Sequence, residues 1–329
     1  MGQGQERARV LCLRPASDFA DVGVDVPEDL DVLYVPDERA VDTIPPDVGC
    51  LVLPSAGHPL SPSMFDGVGG LRLVQFTGAG FDRVPVAPIR RLGAVVCNIP
   101  GASAPDVAGY VVIATGWLLR RLGVGDSLVR LGHYEEARRQ LAPKVTRGFR
   151  NLRVGIVGLG SIGLQVARAF DALGATVRWF DVDTGAEERA GDFERLDLPA
   201  LIEWSEVLTL HVPLVAGTAG LLGKEELALL PRGAIVVNAS RGGVVDEVAL
   251  ADGLESGRIG GAVLDVFERE PLPASSPLRA AAEARSGTTI LTPHIAGVTR
   301  EASRVLFQRA WANVHDVLVG ERTPTNRVM

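Results

Sequence analysis

The run Val154-Gly155-Ile156-Val157-Gly158-Leu159-Gly160-Ser161-Ile162-Gly163 constrains this chain more than any other stretch of it. A short apolar strand leads straight into a Gly-x-Gly-x-x-Gly turn. A helical pattern follows, in which Ile162, Val166, Phe170 and Leu173 recur at steps of about four and Gly174 stops it. A second apolar run, Thr176 to Phe180, ends on Asp181. Strand, glycine turn, helix, strand and acid come in the order that a dinucleotide-binding βαβ unit needs. Gly158 allows a tight turn, Gly160 lets the backbone approach a pyrophosphate, and Gly163 lets helix and strand pack closely. Ser161 and Ile162 open the helix, whose free N–H groups and positive dipole end face the phosphates. Asp181 is placed to accept hydrogen bonds from an adenosine ribose. A carboxylate there binds the 2′-hydroxyl of NAD and repels the 2′-phosphate of NADP, so NAD is the expected cofactor.

At 329 residues the chain is long for one core, and two domains are expected. A hydrophobic fraction of 47% with 22% charged residues fits a soluble globular protein and excludes wholesale disorder. The net charge of −7 argues against nucleic acid as a partner. Val107 to Leu119 is the longest uncharged apolar run, well short of the ~20 residues of a membrane span, so no membrane association is expected. Cys12, Cys50 and Cys97 lie far apart in apolar runs with no metal or disulfide spacing. They read as reduced thiols of a cytoplasmic protein, with no metal site. Met1 to Arg9 is polar and charged and has no apolar signal segment.

Before residue 100, Arg9–Leu13, Val32–Val35, Cys50–Leu53, Leu71–Phe76 and Ala94–Cys97 read as buried strands separated by Pro-rich turns. Thr77-Gly78-Ala79-Gly80 follows one of them as a glycine loop at a strand end. Ser103 fits an N-cap with Asp106 at N3, and Val107 to Leu122 then reads as one long apolar helix. Gly123 to Arg150 is more polar, with Trp117 and Tyr134 as isolated aromatics. Beyond the glycine turn, Val207–His211, Ala234–Asn238, Ile259–Asp265 and Thr289–Thr292 read as strands, and Pro199–Trp204, Lys224–Leu230 and Glu247–Ser256 as helices. Ala274 to Gly287 reads as a surface loop. Glu301 to Val319 is an amphipathic helix expected to return to the first lobe. The expected fold class is α/β. It comprises two Rossmann-like or flavodoxin-like lobes with doubly wound parallel sheets and an interdomain cleft. Residues 1–100 with 297–329 form a discontinuous substrate-binding domain, and residues 101–296 form the dinucleotide-binding domain.

Three later strands end in ionisable groups. Ala234-Ile235-Val236-Val237-Asn238 delivers Arg241 between small residues, where a guanidinium can clamp a carboxylate bidentately. Gly261-Ala262-Val263-Leu264-Asp265 leads to Glu268 and Glu270, which the residues alone do not separate. Leu291-Thr292-Pro293-His294 supplies a histidine that, alone, reads equally as a core residue or a catalyst. His58, His133 and His315 read as surface or structural residues.

Together, Asn238-Ala239-Ser240-Arg241-Gly242 through Val245-Asp246, Leu264 through Pro271, and Thr292-Pro293-His294-Ile295-Ala296-Gly297 resemble the D-isomer-specific 2-hydroxyacid dehydrogenase family. The resemblance runs from about Gly78 to Gly297 and includes His211-Val212-Pro213-Leu214 followed by Thr218. It implies that Arg241 binds the substrate carboxylate, that His294 shuttles the proton, and that Glu270 holds its imidazole and favours the protonated form. Hydride addition to a ketone generates an alkoxide, which needs such an acid nearby. The resemblance places Asp265 near the nicotinamide ribose. It adds Ser161, Ile162, His211, Val212, Pro213, Thr218, Ala239, Ser240, Arg241, His294 and Gly297 to the NAD contacts, and gives Ala79 and Gly80 backbone N–H contacts to substrate. It implies reversible NAD-linked oxidation of a small D-2-hydroxy acid, running as reduction of a 2-oxoacid such as glyoxylate or hydroxypyruvate, by a cytoplasmic homodimer. Val107-Ala108-Gly109-Tyr110 stands where the family usually has Val-Ala-Glu-His, and Val215 replaces a customary Thr. Two other readings keep the same residues: an NAD(H)-sensing corepressor-type binding protein, and a dehydrogenase of a non-carboxylate oxyanion such as phosphite.

Overall fold

Five short apolar runs in the first hundred residues pair into one parallel sheet. In the computed structural model, residues 7–142, 146–285 and 287–329 are described. The polar start before Arg7, residues 143–145 of the polar stretch after Gly123, and Ser286 lie outside the described residues. The chain divides into two units, Met1–Ser103 with Val298–Met329, and Ala104–Gly297.

The first unit contains β1 (Ala8–Cys12), α1 (Ala16–Asp21), β2 (Leu30–Tyr34), β3 (Cys50–Leu53), β4 (Leu73–Phe76), α2 (Val86–Leu92) and β5 (Val95–Cys97). The strands pair in parallel in the order β2-β1-β3-β4-β5. Every residue of β3 and β4 is buried, as interior strands covered on both faces require. β2 lies at the edge and alternates, with Leu30 inside and Asp31 outside. The C-terminal helix Arg300–Leu318 packs on this sheet. The Thr299 hydroxyl caps its start by accepting from the Ala302 N–H at 3.0 Å. Its Phe307 and Trp311 rings lie 4.7 and 5.2 Å from the Phe19 ring. Burying these side chains supplies roughly 1.5–3 kcal/mol each.

The second unit begins with α3 (Ala104–Leu119), α4 (Leu122–Arg130) and α5 (Tyr134–Gln140). The single helix expected over Val107–Leu122 is therefore two. Arg121 takes a left-handed conformation (φ +49°), and the two helices meet at 59°. The more polar stretch from Gly123 is itself largely helical, holding most of α4 and all of α5. No single described helix is long and apolar enough to cross a membrane.

Next come β6 (Arg153–Val157), α6 (Ser161–Ala172), β7 (Thr176–Phe180), α7 (Ala186–Ala190), β8 (Glu194–Arg195), α8 (Leu198–Trp204) and β9 (Val207–Leu210). They are followed by α9 (Lys224–Leu229), β10 (Ala234–Asn238), α10 (Glu247–Glu255), β11 (Ile259–Leu264), α11 (Pro277–Ala284) and β12 (Thr289–Leu291). The seven strands are parallel in the order β12-β11-β10-β9-β6-β7-β8. Connectivity reverses between β6 and β9, the switch point at which ligands bind in such sheets. Two departures from the sequence reading have local causes. Leu173 lies just past α6 and is 45% exposed, so the buried stripe ends at Phe170. Ala274–Gly287 is not all loop, because α11 starts on Pro277 and buries Leu278 and Ala281. Its alanines look small and neutral in sequence, yet alanine is the best helix former.

Candidate active site

Because the second sheet is wholly parallel, every strand's carboxyl end lies on one edge. The glycine turn follows β6, Asp181 follows β7, and His211 follows β9. Arg241, Glu270 and His294 follow β10, β11 and β12, three neighbouring strands.

The turn after β6 has the geometry of a phosphate cradle. Gly158 sits at φ +90°, and a Cβ on Gly163 would overlap the Gly158 carbonyl oxygen. Gly160 is exposed, and a Cβ there would meet nothing within 4 Å, so the open side of the turn is free for a ligand's oxygens. Ser161 and Ile162 form the first turn of α6. The Asp181 carboxylate accepts from the Leu159 N–H at 2.7 Å and the Asp183 N–H at 2.9 Å. It is thereby fixed beside the turn, with lone pairs left for ribose hydroxyls. Arg178 pairs with Glu194 at 2.7 Å and stacks on Trp204.

His211 lies across the switch point, and a Cβ on Gly158 would run into its carbonyl. Its Nε2 meets the Thr209 hydroxyl at 2.9 Å, while its buried Nδ1 has no hydrogen-bond partner among the described residues. Burial pulls the imidazole down to about 3, so the ring is neutral at physiological pH. In the loop that follows, the Thr218 hydroxyl donates to the Pro213 carbonyl at 2.5 Å and accepts from the Val215 N–H at 2.9 Å. Val212 is half-buried, and Leu214 and Val215 are exposed. The open turn, the fixed carboxylate and the orphaned His211 nitrogen fit a bound dinucleotide.

After β10 the chain folds around a residue that sequence reasoning missed. Asn238, 2% exposed, accepts from the Ser240 N–H at 3.0 Å and hydroxyl at 2.7 Å, and its Nδ2 donates to the Arg241 carbonyl at 2.9 Å. Ala239 and Ser240 line this turn, half-buried. The signal available was an Asn at a strand end, which turns readily through its own side chain. A Cβ on Gly242 would overlap the Phe267 carbonyl, so Arg241 is registered directly against the segment that carries Glu270.

Glu270 receives the Phe267 N–H at 3.1 Å on one oxygen and faces His294 Nδ1 at 3.0 Å with the other. Burial pushes its carboxyl up. The His294 hydrogen bond and charge, the Phe267 N–H and the Arg241 charge outweigh burial and hold it below the usual carboxylate range. Glu268 is exposed and does not share this arrangement. Glu247, also missed, accepts from the Glu268 N–H at 2.6 Å and anchors the segment.

Asp265 is 1% exposed, and both of its oxygens are engaged within the unit. One accepts from the Thr292 hydroxyl at 2.6 Å and the Ile295 N–H at 2.8 Å, the other from the Ala296 N–H at 2.8 Å. Its carbonyl accepts from the His294 N–H at 2.8 Å. These bonds hold His294 in a left-handed conformation (φ +58°), which costs a β-carbon residue about 1–3 kcal/mol. Gly297 closes the loop and the unit. In the first unit, Ala79 and Gly80 form the loop after β4. The carbonyls of Gly78, Ala79 and Gly80 accept from the Ile99 N–H, Asn98 Nδ2 and the Ser55 hydroxyl.

The profile of the family described as "D-isomer specific 2-hydroxyacid dehydrogenase, NAD binding domain" matches residues 115–296, over half of the chain. A glyoxylate reductase of Thermofilum pendens is 31% identical over 269 residues, covering 80% of this chain and 77% of that protein. An (S)-sulfolactate dehydrogenase of Chromohalobacter salexigens is 38% identical over 251 residues, covering 75% and 76%. Among solved structures, that of the pyruvate reductase of Chlamydomonas reinhardtii matches with a TM-score of 0.79 at 27% identity, covering 98% of this chain and 99% of that one. The chain belongs to the D-isomer-specific 2-hydroxyacid dehydrogenase family and is an NAD-dependent oxidoreductase acting on 2-hydroxy and 2-oxo acids.

Proposed function

We propose that this protein reduces a small 2-oxoacid of the glyoxylate or hydroxypyruvate kind to its D-2-hydroxy acid, with Arg241, Glu270 and His294 as the catalytic residues. One observation carries the reading: three neighbouring strand ends bring a guanidinium, a carboxylate and an imidazole together, with His294 Nδ1 3.0 Å from Glu270. That bond leaves His294 Nε2 to deliver a proton. Bound NADH supplies the hydride to the carbonyl carbon. Arg241 holds the substrate carboxylate and polarises the 2-oxo oxygen, and His294 protonates that oxygen as it becomes a hydroxyl. Glu270, kept ionised, steadies the imidazolium until the proton leaves.

The Gly158–Gly163 turn, Asp181, and the His211 to Thr218 loop are the proposed cofactor contacts, with Ala239 and Ser240 beside them. In the first unit the backbone N–H groups of Ala79 and Gly80 are the proposed substrate contacts, which makes residues 1–100 with 297–329 the substrate-selecting part. A cytoplasmic homodimer completes the reading. Supporting dimerisation, Ile113, Trp117, Leu122, Val129, Leu131 and Tyr134 of the α3–α5 region are all exposed.

The test is a panel of glyoxylate, hydroxypyruvate, pyruvate, bulkier 2-oxoacids and, in the reverse direction, phosphite, each with both nicotinamide cofactors. Turnover of a small 2-oxoacid with NADH is expected, and Asp181→Ala is expected to erode the preference over NADPH by about tenfold or more. No turnover of any 2-oxoacid would overturn the reading.

A further inference from the structure

The helix at the start of the second unit departs from its family at Gly109 and Tyr110, and the structure gives Tyr110 a definite partner. The Tyr110 hydroxyl lies 2.5 Å from the Thr292 hydroxyl, which lies 2.6 Å from Asp265 Oδ1. A carboxylate only accepts, so Thr292 donates to Asp265. Thr292 has one proton, so Tyr110 must donate to Thr292. The proton order is therefore fixed as Tyr110 to Thr292 to Asp265. The ring is half-buried against the α3–α6 core, and burial and the nearby Asp265 charge push its phenol up to about 12, so it stays a donor.

We propose that Tyr110 is a positioning residue for the proton donor: through Thr292 it fixes the acceptor geometry of Asp265, which holds the His294 loop in its left-handed form. Asp265 is the hub of that loop. It accepts from the N–H groups of Ile295 and Ala296, and its carbonyl accepts from the His294 N–H. The Thr292 hydroxyl is the one rotatable donor in this set. Without Tyr110 the Thr292 oxygen loses the donor that orients and polarises it, and its bond to Asp265 Oδ1, the only side-chain bond in the set, is weakened. The two segments being tied are the opening turns of the unit and its last residues, since α3 begins at Ala104 and the unit ends at Gly297.

This role rests on His294 acting as the proton donor, and one readout is independent of activity. In Tyr110→Phe, which keeps the ring, amide exchange at Ile295 and Ala296 is expected to speed up by about 3–10-fold while the α6 amides are unchanged. Turnover is expected to fall by a similar factor in kcat, with KM for NADH unaltered. Thr292→Val is expected to cost more, and Thr292→Ser to restore most of the loss. Because the residues act as one chain, the Tyr110→Phe/Thr292→Val double variant should be no slower than Thr292→Val alone. Wild-type exchange and kcat in Tyr110→Phe, a change confined to KM for NADH, or independent multiplication of the two effects would each overturn the proposal. Should Thr292→Val not fold, Tyr110→Phe decides alone. Faster exchange in a protein that turns over no 2-oxoacid would uphold the relay and sink the catalytic reading instead.

Discussion

The two units share a parallel α/β architecture and differ in what their strand ends present. In the second, β10, β11 and β12 deliver Arg241, Glu270 and His294, three ionisable side chains on neighbouring strands. In the first, β4 delivers Thr77-Gly78-Ala79-Gly80, a loop of main chain whose three glycine-loop carbonyls are tied inward by Ile99, Asn98 and Ser55. One unit presents side-chain charge at its strand ends and the other presents backbone, and the proposed function uses each accordingly. Fold alone assigns neither role.

The largest expected effect lies on the charged side of this comparison. His294→Ala should lower kcat by about 10²–10⁴-fold, the usual contribution of a positioned acid, while NADH still binds. Stopped-flow reduction and NADH fluorescence separate the two. Near-wild-type turnover at neutral pH would break the comparison, because the second unit would then hold nucleotide without doing chemistry.

A middle-sized effect concerns acid. His211 is pulled to about 3 in the folded protein, against roughly 6.5 when unfolded. Above that unfolded value the ring is neutral in both states and adds no pH dependence. As pH falls below it, the unfolded chain takes up a proton that the folded one refuses, and stability drops until the folded value is reached. By pH 4.5 this amounts to at most about 2.7 kcal/mol. This contribution falls on the second unit. Thermal midpoints of wild type and His211→Gln at pH 7 and 4.5 check this: the wild type is expected to lose more between the two pH values. Equal losses would remove His211 as the cause.

What could be read in the sequence follows the same division. Strand–turn–helix order around Gly158–Gly163 is a local pattern readable residue by residue, as is the ending of three apolar strands in ionisable groups, whereas the choice of Glu270 over Glu268 and the catalytic reading of His294 came from resemblance. The five strands of the first sheet were also readable, to within about two residues, since apolar runs between Pro-rich turns leave few choices. Asn238, Glu247, Thr292 and Tyr110 were not, because each matters through a partner distant in the chain or through its own backbone. Nor did the break at Arg121 show, because an apolar run continues smoothly across it until one residue turns left-handed. Main-chain recognition at Ala79 and Gly80 came from resemblance alone. Small residues can offer the same N–H groups in any turn.

The smallest effect therefore tests the least readable claim. Ser55 donates its hydroxyl to the Gly80 carbonyl at 2.9 Å, from the loop after β3 to the loop after β4. Removing it by Ser55→Ala leaves the charged residues of the second unit untouched and takes away one neutral hydrogen bond, a change of about 1 kcal/mol. If Ala79 and Gly80 bind substrate through their N–H groups, a looser loop should raise KM for the 2-oxoacid about 3–10-fold, with KM for NADH and the acid stability of the second unit unchanged. Steady-state kinetics with each substrate varied in turn measures this. A fall in kcat with both KM values constant would place the effect on the proton-transfer step, and the division between a charged unit and a main-chain unit would not hold. Wild-type kinetics throughout would show that the loop keeps its shape through Ile99 and Asn98 alone, and the next substitution would have to be Asn98→Ala, which removes the bond to the Ala79 carbonyl at 2.6 Å.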